Sequence, residues 1–280
     1  LQARVTAYFQ GTDTFVQDVY VRTGRDQKMP LRIITETAWH NLFARNSYLP
    51  ADYDENDDFR PEYTVIHAPG FRAVPQRDGT NSDVFVIIHL SKRLILIGGT
   101  SYAGEIKKAI FSVLNYLLPG DDVLTLECAA NVGPDHDVTL FLGAPEAGKT
   151  VLATVPERTL IGDSEHGWDG DGIFSIGRGG YAHTLGLDTG VSSELYEVTR
   201  RFGTIMENAC VNVHNRRLKL DEGCRTDNAR ANYPLTHIRN YARDGYAGHP
   251  ANIVMLTNDA FGVLPPVSLL SATQAYYYYL

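Results

Sequence analysis

The run Asp137-Val138-Thr139-Leu140-Phe141-Leu142, followed at once by Gly143-Ala144-Pro145-Glu146-Ala147-Gly148-Lys149-Thr150, decides how the rest of this 280-residue chain is read. Its first half alternates toward a buried strand. Its second half fits the phosphate-loop pattern G-x-x-x-x-G-K-[ST] in the strand context that the pattern requires. With glycine near ~7% of residues, such an octamer turns up in on the order of one random chain in a hundred of this length, so coincidence is a poor explanation. The residue types suit the chemistry: successive backbone N–H groups wrap phosphate oxygens, Lys149 neutralises the outer phosphates, and the Thr150 hydroxyl reaches a Mg²⁺ ion. The plainer alternative is a glycine-punctuated turn carrying a surface lysine. Two positions cut against the loop, because Pro145 has no N–H to donate and Glu146 brings negative charge toward the phosphates.

Downstream, Arg158-Thr159-Leu160-Ile161-Gly162-Asp163 reads as a second apolar strand ending in an acid. That is how phosphate-loop proteins hold a metal from behind. Upstream, Ile106, Ile110, Val113, Leu114 and Leu117 recur at helical spacing between Tyr102 and Leu118 and stop at Pro119-Gly120. Lys107 and Lys108 lie off that stripe and, by pattern alone, read as a solvated helix face. The turn Pro119-Gly120-Asp121-Asp122 is the expected boundary between an N-terminal substrate-side domain, 1–122, and a mononucleotide-binding phosphate-loop domain, 123–280. In the first third, Val5 to Phe9, Tyr63 to His67 and Asp83 to Leu90 look like strands and Glu36 to Arg45 like an amphipathic helix. The expected fold class is therefore α/β, with an α+β N-terminal part joined to the phosphate-loop domain. The acidic run Ala51 to Asp58 lacks the glycine and terminal glutamate of a calcium loop and reads as a solvated turn.

Composition narrows the partners. With 44% hydrophobic and 21% charged residues the chain is globular rather than disordered. A net charge of −8 without any long Lys/Arg run leaves no electrostatic footprint for nucleic acid. No apolar stretch approaches the length of a membrane span, and no signal peptide opens the sequence. Three cysteines, Cys128, Cys210 and Cys224, are odd in number and have no framework spacing, which points to a reducing, cytoplasmic setting. The chain starts without Met and ends on Tyr276-Tyr277-Tyr278-Tyr279-Leu280, as a piece of something longer would.

Several runs together resemble the ATP-dependent phosphoenolpyruvate carboxykinases. They are Ile97-Gly98-Gly99-Thr100 with Tyr102, Gly104, Glu105, Lys107 and Lys108; Asn115 to Pro119; Ala130-Asn131-Val132-Gly133; and Leu160 to Asp163 with Glu165 to Asp169. Thr226, Asn228, Arg230 and Tyr233-Pro234 continue the series, and Asp259 to Ser268 closes it. The resemblance implies a gluconeogenic reaction in which oxaloacetate and ATP give phosphoenolpyruvate, ADP and CO₂, with Mg²⁺ on the nucleotide and a second ion, typically Mn²⁺, between the substrates. It implies small-molecule partners only and a monomer or weak oligomer. Carried over residue by residue, Gly143 to Thr150 would cradle the nucleotide, with Lys149 and Thr150 at its phosphates and Mg²⁺. Lys108 would be a neutral ligand of the second metal, deprotonated because a like charge disfavours ammonium. Tyr102, Lys107 and Arg230 would face the substrate or the transferring phosphoryl group, Asp163 would orient a metal-bound water, and Glu207 would join the polar cluster on the nucleotide side. Such a cleft lowers the barrier because enolate and phosphoryl groups both gather negative charge.

This chain departs from the family pattern at the chemistry. The family loop usually carries Ser and Gly where Pro145 and Glu146 stand. Its second-metal His is Glu127 here, the second Asp of its I-G-D-D-E-H-G-W run is Ser164, and a nucleotide-contacting Lys is His183. The family's early substrate-binding arginine motif would lie before Leu1, and its adenine contacts beyond Leu280. Two other readings stay open: a non-catalytic relative that keeps the fold and weak nucleotide binding, and an unrelated phosphate-loop kinase, against which the Asp259 to Ser268 run argues.

Overall fold

The computed structural model describes residues 1–52, 59–145, 147–187, 190, 193–220, 223 and 226–279. Most of the acidic run before residue 59, and Glu146 within the loop, lie outside the described residues. The chain is α/β throughout, as expected. A six-stranded sheet has the order Leu49–Pro50, Phe15–Arg22, Lys28–Thr35, Tyr63–Ala68, Leu94–Gly98, Phe85–His89. Its three inner strands, Lys28–Thr35, Tyr63–Ala68 and Leu94–Gly98, run parallel, and the outer ones are antiparallel. Leu94–Gly98 is buried at every position, which is why it reads as an unbroken apolar run rather than an alternating one.

That strand feeds the site. After Gly99, at φ 76°, where only glycine is unstrained, the chain passes through Thr100 and Ser101 into the helix Gly104–Leu117. Ile106, Ile110, Val113 and Leu114 are buried there, as their spacing predicts. The helix tightens into a 3₁₀ turn over Leu118–Asp121 and ends at Asp122 in the left-handed conformation. The apolar core beneath it runs on past this turn, since Val123, Phe174 and Ile176 pack with Val65, Ile95 and Ile110.

The second sheet has the order Thr159–Gly162, Ala129–Val132, Val138–Gly143, Pro250–Leu256. A third joins Tyr246–Ala247, Gly172–Ser175, Glu165–Asp169 and Leu124–Glu127, and a fourth joins Gly179–His183, Arg230–Pro234 and Ile205–Glu207. Arg158 ties the loops of the second sheet together, donating to Asn131 Oδ1 at 2.7 Å, Asp137 Oδ2 at 2.8 Å and Thr139 Oγ1 at 3.0 Å.

Three expectations need correction. Val5 to Phe9 is part of a helix, Gln2–Phe9: Leu1, Val5, Tyr8 and Phe9 pack on one small core, so the apparent strand is one helical face rich in β-formers. The strand–loop–helix–strand order also places the strand ending at Asp163 next to the loop strand; Ala129–Val132 lies between them instead, although Asp163 still reaches Thr150. Cys210 is disulfide-bonded, which an odd count of scattered cysteines did not suggest, while Cys128 is free and buried. Among the described residues no helix is long and apolar enough to cross a membrane.

Two buried histidines form a ledge under the segment that leads into the helix Gly104–Leu117. His67 Nε2 lies 3.0 Å from Thr100 O and His40 Nε2 2.9 Å from Ser101 O, and the two rings meet edge to face at 4.2 Å. Burial keeps both neutral, with pKa values near 4 for His40 and near 3 for His67, below the ordinary 6.5. Between those limits the unfolded chain takes up protons that the folded chain refuses. Stability present above pH 6.5 is therefore lost as pH falls through that window, by at most ~1.4 kcal/mol per pH unit for each histidine. Urea denaturation from pH 7 to 4.5 should show this slope, and His67→Gln should flatten it. An unchanged slope in the variant would remove His67 from the account.

Candidate active site

Four elements converge on a cleft of about 490 Å³. The helix Gly104–Leu117 and the residue before its cap contribute Tyr102, Lys107 and Lys108; the phosphate loop and the short helix Lys149–Ala153 contribute Pro145, Gly148, Lys149 and Thr150. The end of Leu124–Glu127 gives Glu127, the turn after Thr159–Gly162 gives Asp163 and Ser164, the start of Glu165–Asp169 gives Glu165, and the fourth sheet gives Tyr181, His183 and Arg230.

The loop closes for physical reasons. Gly143 sits at φ 151°, and a Cβ there would come within 2.5 Å of Leu256 O on the parallel neighbour strand, so the strand can end here only on glycine. Gly148, at φ 93°, caps the helix that starts with Lys149. Lys149 Nζ turns back and donates to Gly143 O at 2.6 Å and Ala144 O at 2.9 Å. Gly143, Ala144 and Ala147 form the base of the loop rather than the cleft wall.

Asp163 uses both carboxylate oxygens. Oδ1 accepts from Thr150 Oγ1 at 2.5 Å, and Oδ2 accepts from the Tyr181 backbone N–H at 3.0 Å. One buried acid thus joins the phosphate-loop helix to the strand Gly179–His183.

The two adjacent lysines behave differently, as a helical step of about 100° requires. Lys107 is only 4% exposed; it donates to Ser164 Oγ and pairs with Glu165 at 3.4 Å. The solvated face expected from pattern alone therefore fails for Lys107, because strand Glu165–Asp169 brings a carboxylate to it. It holds for Lys108, whose side chain is 66% exposed, with Nζ 5.3 Å from the Tyr102 ring centroid and 3.8 Å from Glu105. Burial pushes the Glu165 carboxyl upward, and Lys107 opposes that shift.

Arg230 lies in strand Arg230–Pro234 opposite both His183 and Glu207. Its Nε donates to Asn228 Oδ1 at 2.6 Å, and its guanidinium stands 5.3 Å from the Tyr181 ring centroid. Glu207 is outside the cleft lining. Its Oε1 accepts from the Ala103 N–H at 3.1 Å and its Oε2 from the Tyr181 hydroxyl, so it ties the cap of the lysine helix to the Arg230 sheet. Burial raises the Glu207 pKa, against the effect of these bonds and of Arg230. His183 Nε2 contacts Asp227 O at 2.5 Å.

Tyr181 has no place in the sequence reading, and Glu165 enters it only within the Glu165 to Asp169 run, without a site role. Glu165 had a usable signal, two residues after Asp163; Tyr181 had none, since its place depends on strand pairing. Among the described residues no three His, Cys, Asp or Glu side chains cluster as a metal site. The cleft instead offers separate oxygen donors: the Asp163 and Glu127 carboxylates and the Thr150 and Ser164 hydroxyls. That set suits a hard divalent ion completed by ligand oxygens better than a closed protein cage.

The phosphoenolpyruvate carboxykinase family model matches residues 1–280. The chain belongs to that family. It is 50% identical to the phosphoenolpyruvate carboxykinase (ATP) of Geotalea uraniireducens over 281 residues, covering 100% of this chain and 53% of the relative. It is 51% identical to that of Pelobacter propionicus, covering all of this chain and 53% of the relative, and 46% identical to that of Thermus thermophilus over 284 residues, covering all of this chain and 54% of the relative. The chain thus spans about half the length of the curated relatives it matches. The carboxykinase resemblance read from its motifs holds over the whole chain.

The Asp163 junction has a measurable weight. Asp163→Ala orphans the Thr150 hydroxyl and the Tyr181 N–H and should cost about 1.5–3 kcal/mol in urea denaturation. Thr150→Val should cost less, because Tyr181 stays held. Equal losses, or none, would show that the junction does not join the two elements.

Proposed function

We propose that the intact protein is an ATP-dependent phosphoenolpyruvate carboxykinase that converts oxaloacetate and ATP to phosphoenolpyruvate, ADP and CO₂. The observation that carries this reading is the meeting, in one cleft, of the phosphate-loop residues Lys149 and Thr150, the Asp163 carboxylate, the basic side chains of Lys107, Lys108 and Arg230, and Tyr102. Lys149 and the loop would bind the nucleotide phosphates. Arg230 and Tyr102 would orient the substrate carboxylate, and Lys107 and Lys108 would face the enolate oxygen and the incoming phosphoryl group. Mg²⁺ would be held at Thr150, with Asp163 bonded to that hydroxyl from behind. Mn²⁺ would be held at Lys108 and Glu127, with Ser164 at the third position. These ions supply charge neutralisation for the transferring group. The same reading carries a cytoplasmic location and a monomer or weak oligomer.

One observation favours the other reading, of a relative that binds nucleotide without turnover. Lys107 donates to Ser164 and pairs with Glu165, so its Nζ occupies hydroxyl and carboxylate oxygens beside the proposed second-ion position. A coupled assay of oxaloacetate-dependent ATP consumption, run on the full-length gene product with Mn²⁺ and Mg²⁺, separates the two. Turnover is expected, with Lys149→Ala and Arg230→Ala each lowering kcat/KM by on the order of 10²-fold or more. Nucleotide binding by a folded protein without turnover would establish the non-catalytic reading.

The substitutions at Glu127 and Ser164 are read as coupled through charge. Lys, His and Asp in the family, and Lys108, Glu127 and Ser164 here, each place one carboxylate among three positions. Glu127→His leaves none and Ser164→Asp leaves two, so each alone should lower or barely change Mn²⁺ affinity, whereas the double change should raise it. Mn²⁺ titration by calorimetry or electron paramagnetic resonance reads this without turnover. Simple additivity would separate the two positions from a shared ion.

A further inference from the structure

A second cavity, of about 160 Å³, opens where the end of strand Phe15–Arg22 meets residues 177–178 and 241–245. Three arginines line it, Arg22, Arg178 and Arg243, and none of them belongs to the cleft described above. Arg22 is 6% exposed. Its Nη1 donates to Ser175 O at 3.1 Å and Gly177 O at 3.0 Å, and its Cζ stands 5.4 Å from the Tyr246 ring centroid. Gly245 crosses so close that a Cβ there would be 2.9 Å from Nη1. The guanidinium is therefore fixed in position before any ligand arrives.

Its charge is not balanced locally. Among the described residues, none of the three arginines makes an ion pair with a carboxylate, and the side chains of Arg178 and Arg243 make no hydrogen bond. Asp244 acts on Arg22 only from beyond ion-pair distance, while Arg178 repels it, and burial with that repulsion lowers the Arg22 pKa. A buried charge is ordinarily paired, so the fixed Arg22, with the half-buried Arg178 and the exposed Arg243 unengaged at the same cavity, describes half of an ion pair whose other half is a ligand. Guanidinium forks match the oxygens of phosphate, and several cations suit a dianion better than a single carboxylate.

We propose that this cavity is a binding site for a phosphate group, free or carried on a small phosphomonoester. It stands apart from the nucleotide cleft and does not depend on the proposed reaction. The test uses full-length protein carrying Lys149→Ala, to weaken phosphate binding at the loop, and follows thermal unfolding against inorganic phosphate, glycerol phosphate and chloride at matched ionic strength. Phosphate is expected to raise Tm saturably where chloride does not, and Arg178→Gln and Arg243→Gln should each weaken the titration about tenfold or more. A larger shift with glycerol phosphate would assign the site to a phosphomonoester, and an equal one to free phosphate. The proposal does not lean on Arg22→Met, which also removes two structural hydrogen bonds. Equal shifts with chloride, or titrations of the Arg178 and Arg243 variants that match the parent, would overturn it.

Discussion

The arrangement of the cleft depends on a single buried carboxylate. Asp163 holds the Thr150 hydroxyl with one oxygen and the Tyr181 N–H with the other, so the phosphate-loop helix cannot shift without disturbing the strand that pairs with Arg230. An ionised acceptor gives stronger bonds than a neutral one, and both donors come from backbone or from a short side chain with little freedom. A residue in the turn after Thr159–Gly162 therefore fixes a helix and a strand relative to each other.

Glu207 plays a matching part from outside the cleft lining. It anchors the start of the lysine helix through Ala103 and the Tyr181 hydroxyl, while the two buried histidines support the segment just before that helix. Lys107, Lys108 and Tyr102 are thus held from three directions. Their charge is divided: Lys107 is committed to Ser164 and Glu165, whereas Lys108 faces solvent over Tyr102. Ser164, which the motif resemblance marks as a substituted position, is the hydroxyl that accepts from Lys107.

Pro145, Glu127, Ser164 and His183, the positions at which the motif resemblance sets this chain apart, all border the same cleft. Gly143 at its strand end, the buried Leu94–Gly98 strand and the Arg158 network answer to packing and hydrogen-bond constraints that do not involve those four residues.

The sequence by itself determined the elements whose signals are local. The strand, loop and helix around Lys149, the amphipathic helix Gly104–Leu117 and its stop at Pro119-Gly120 are all written in spacings of two or of three to four residues. Ordered motifs also made the family legible. What periodicity does not record is which strands pair, and here it misled or was silent. Val5 to Phe9 carries β-forming residues on a helix because its neighbours supply a face to bury. Lys107 lies off the apolar stripe and is buried all the same, because Glu165 arrives from a distant strand to pair with it. The place of Asp163 two strands away from the loop strand, the role of Tyr181, the bonded state of Cys210 and the meeting of Arg22, Arg178 and Arg243 all follow from contacts between residues far apart in the chain. Tertiary structure alone decided these, because long-range pairing is selected by the fit of whole surfaces, and no single residue carries that information.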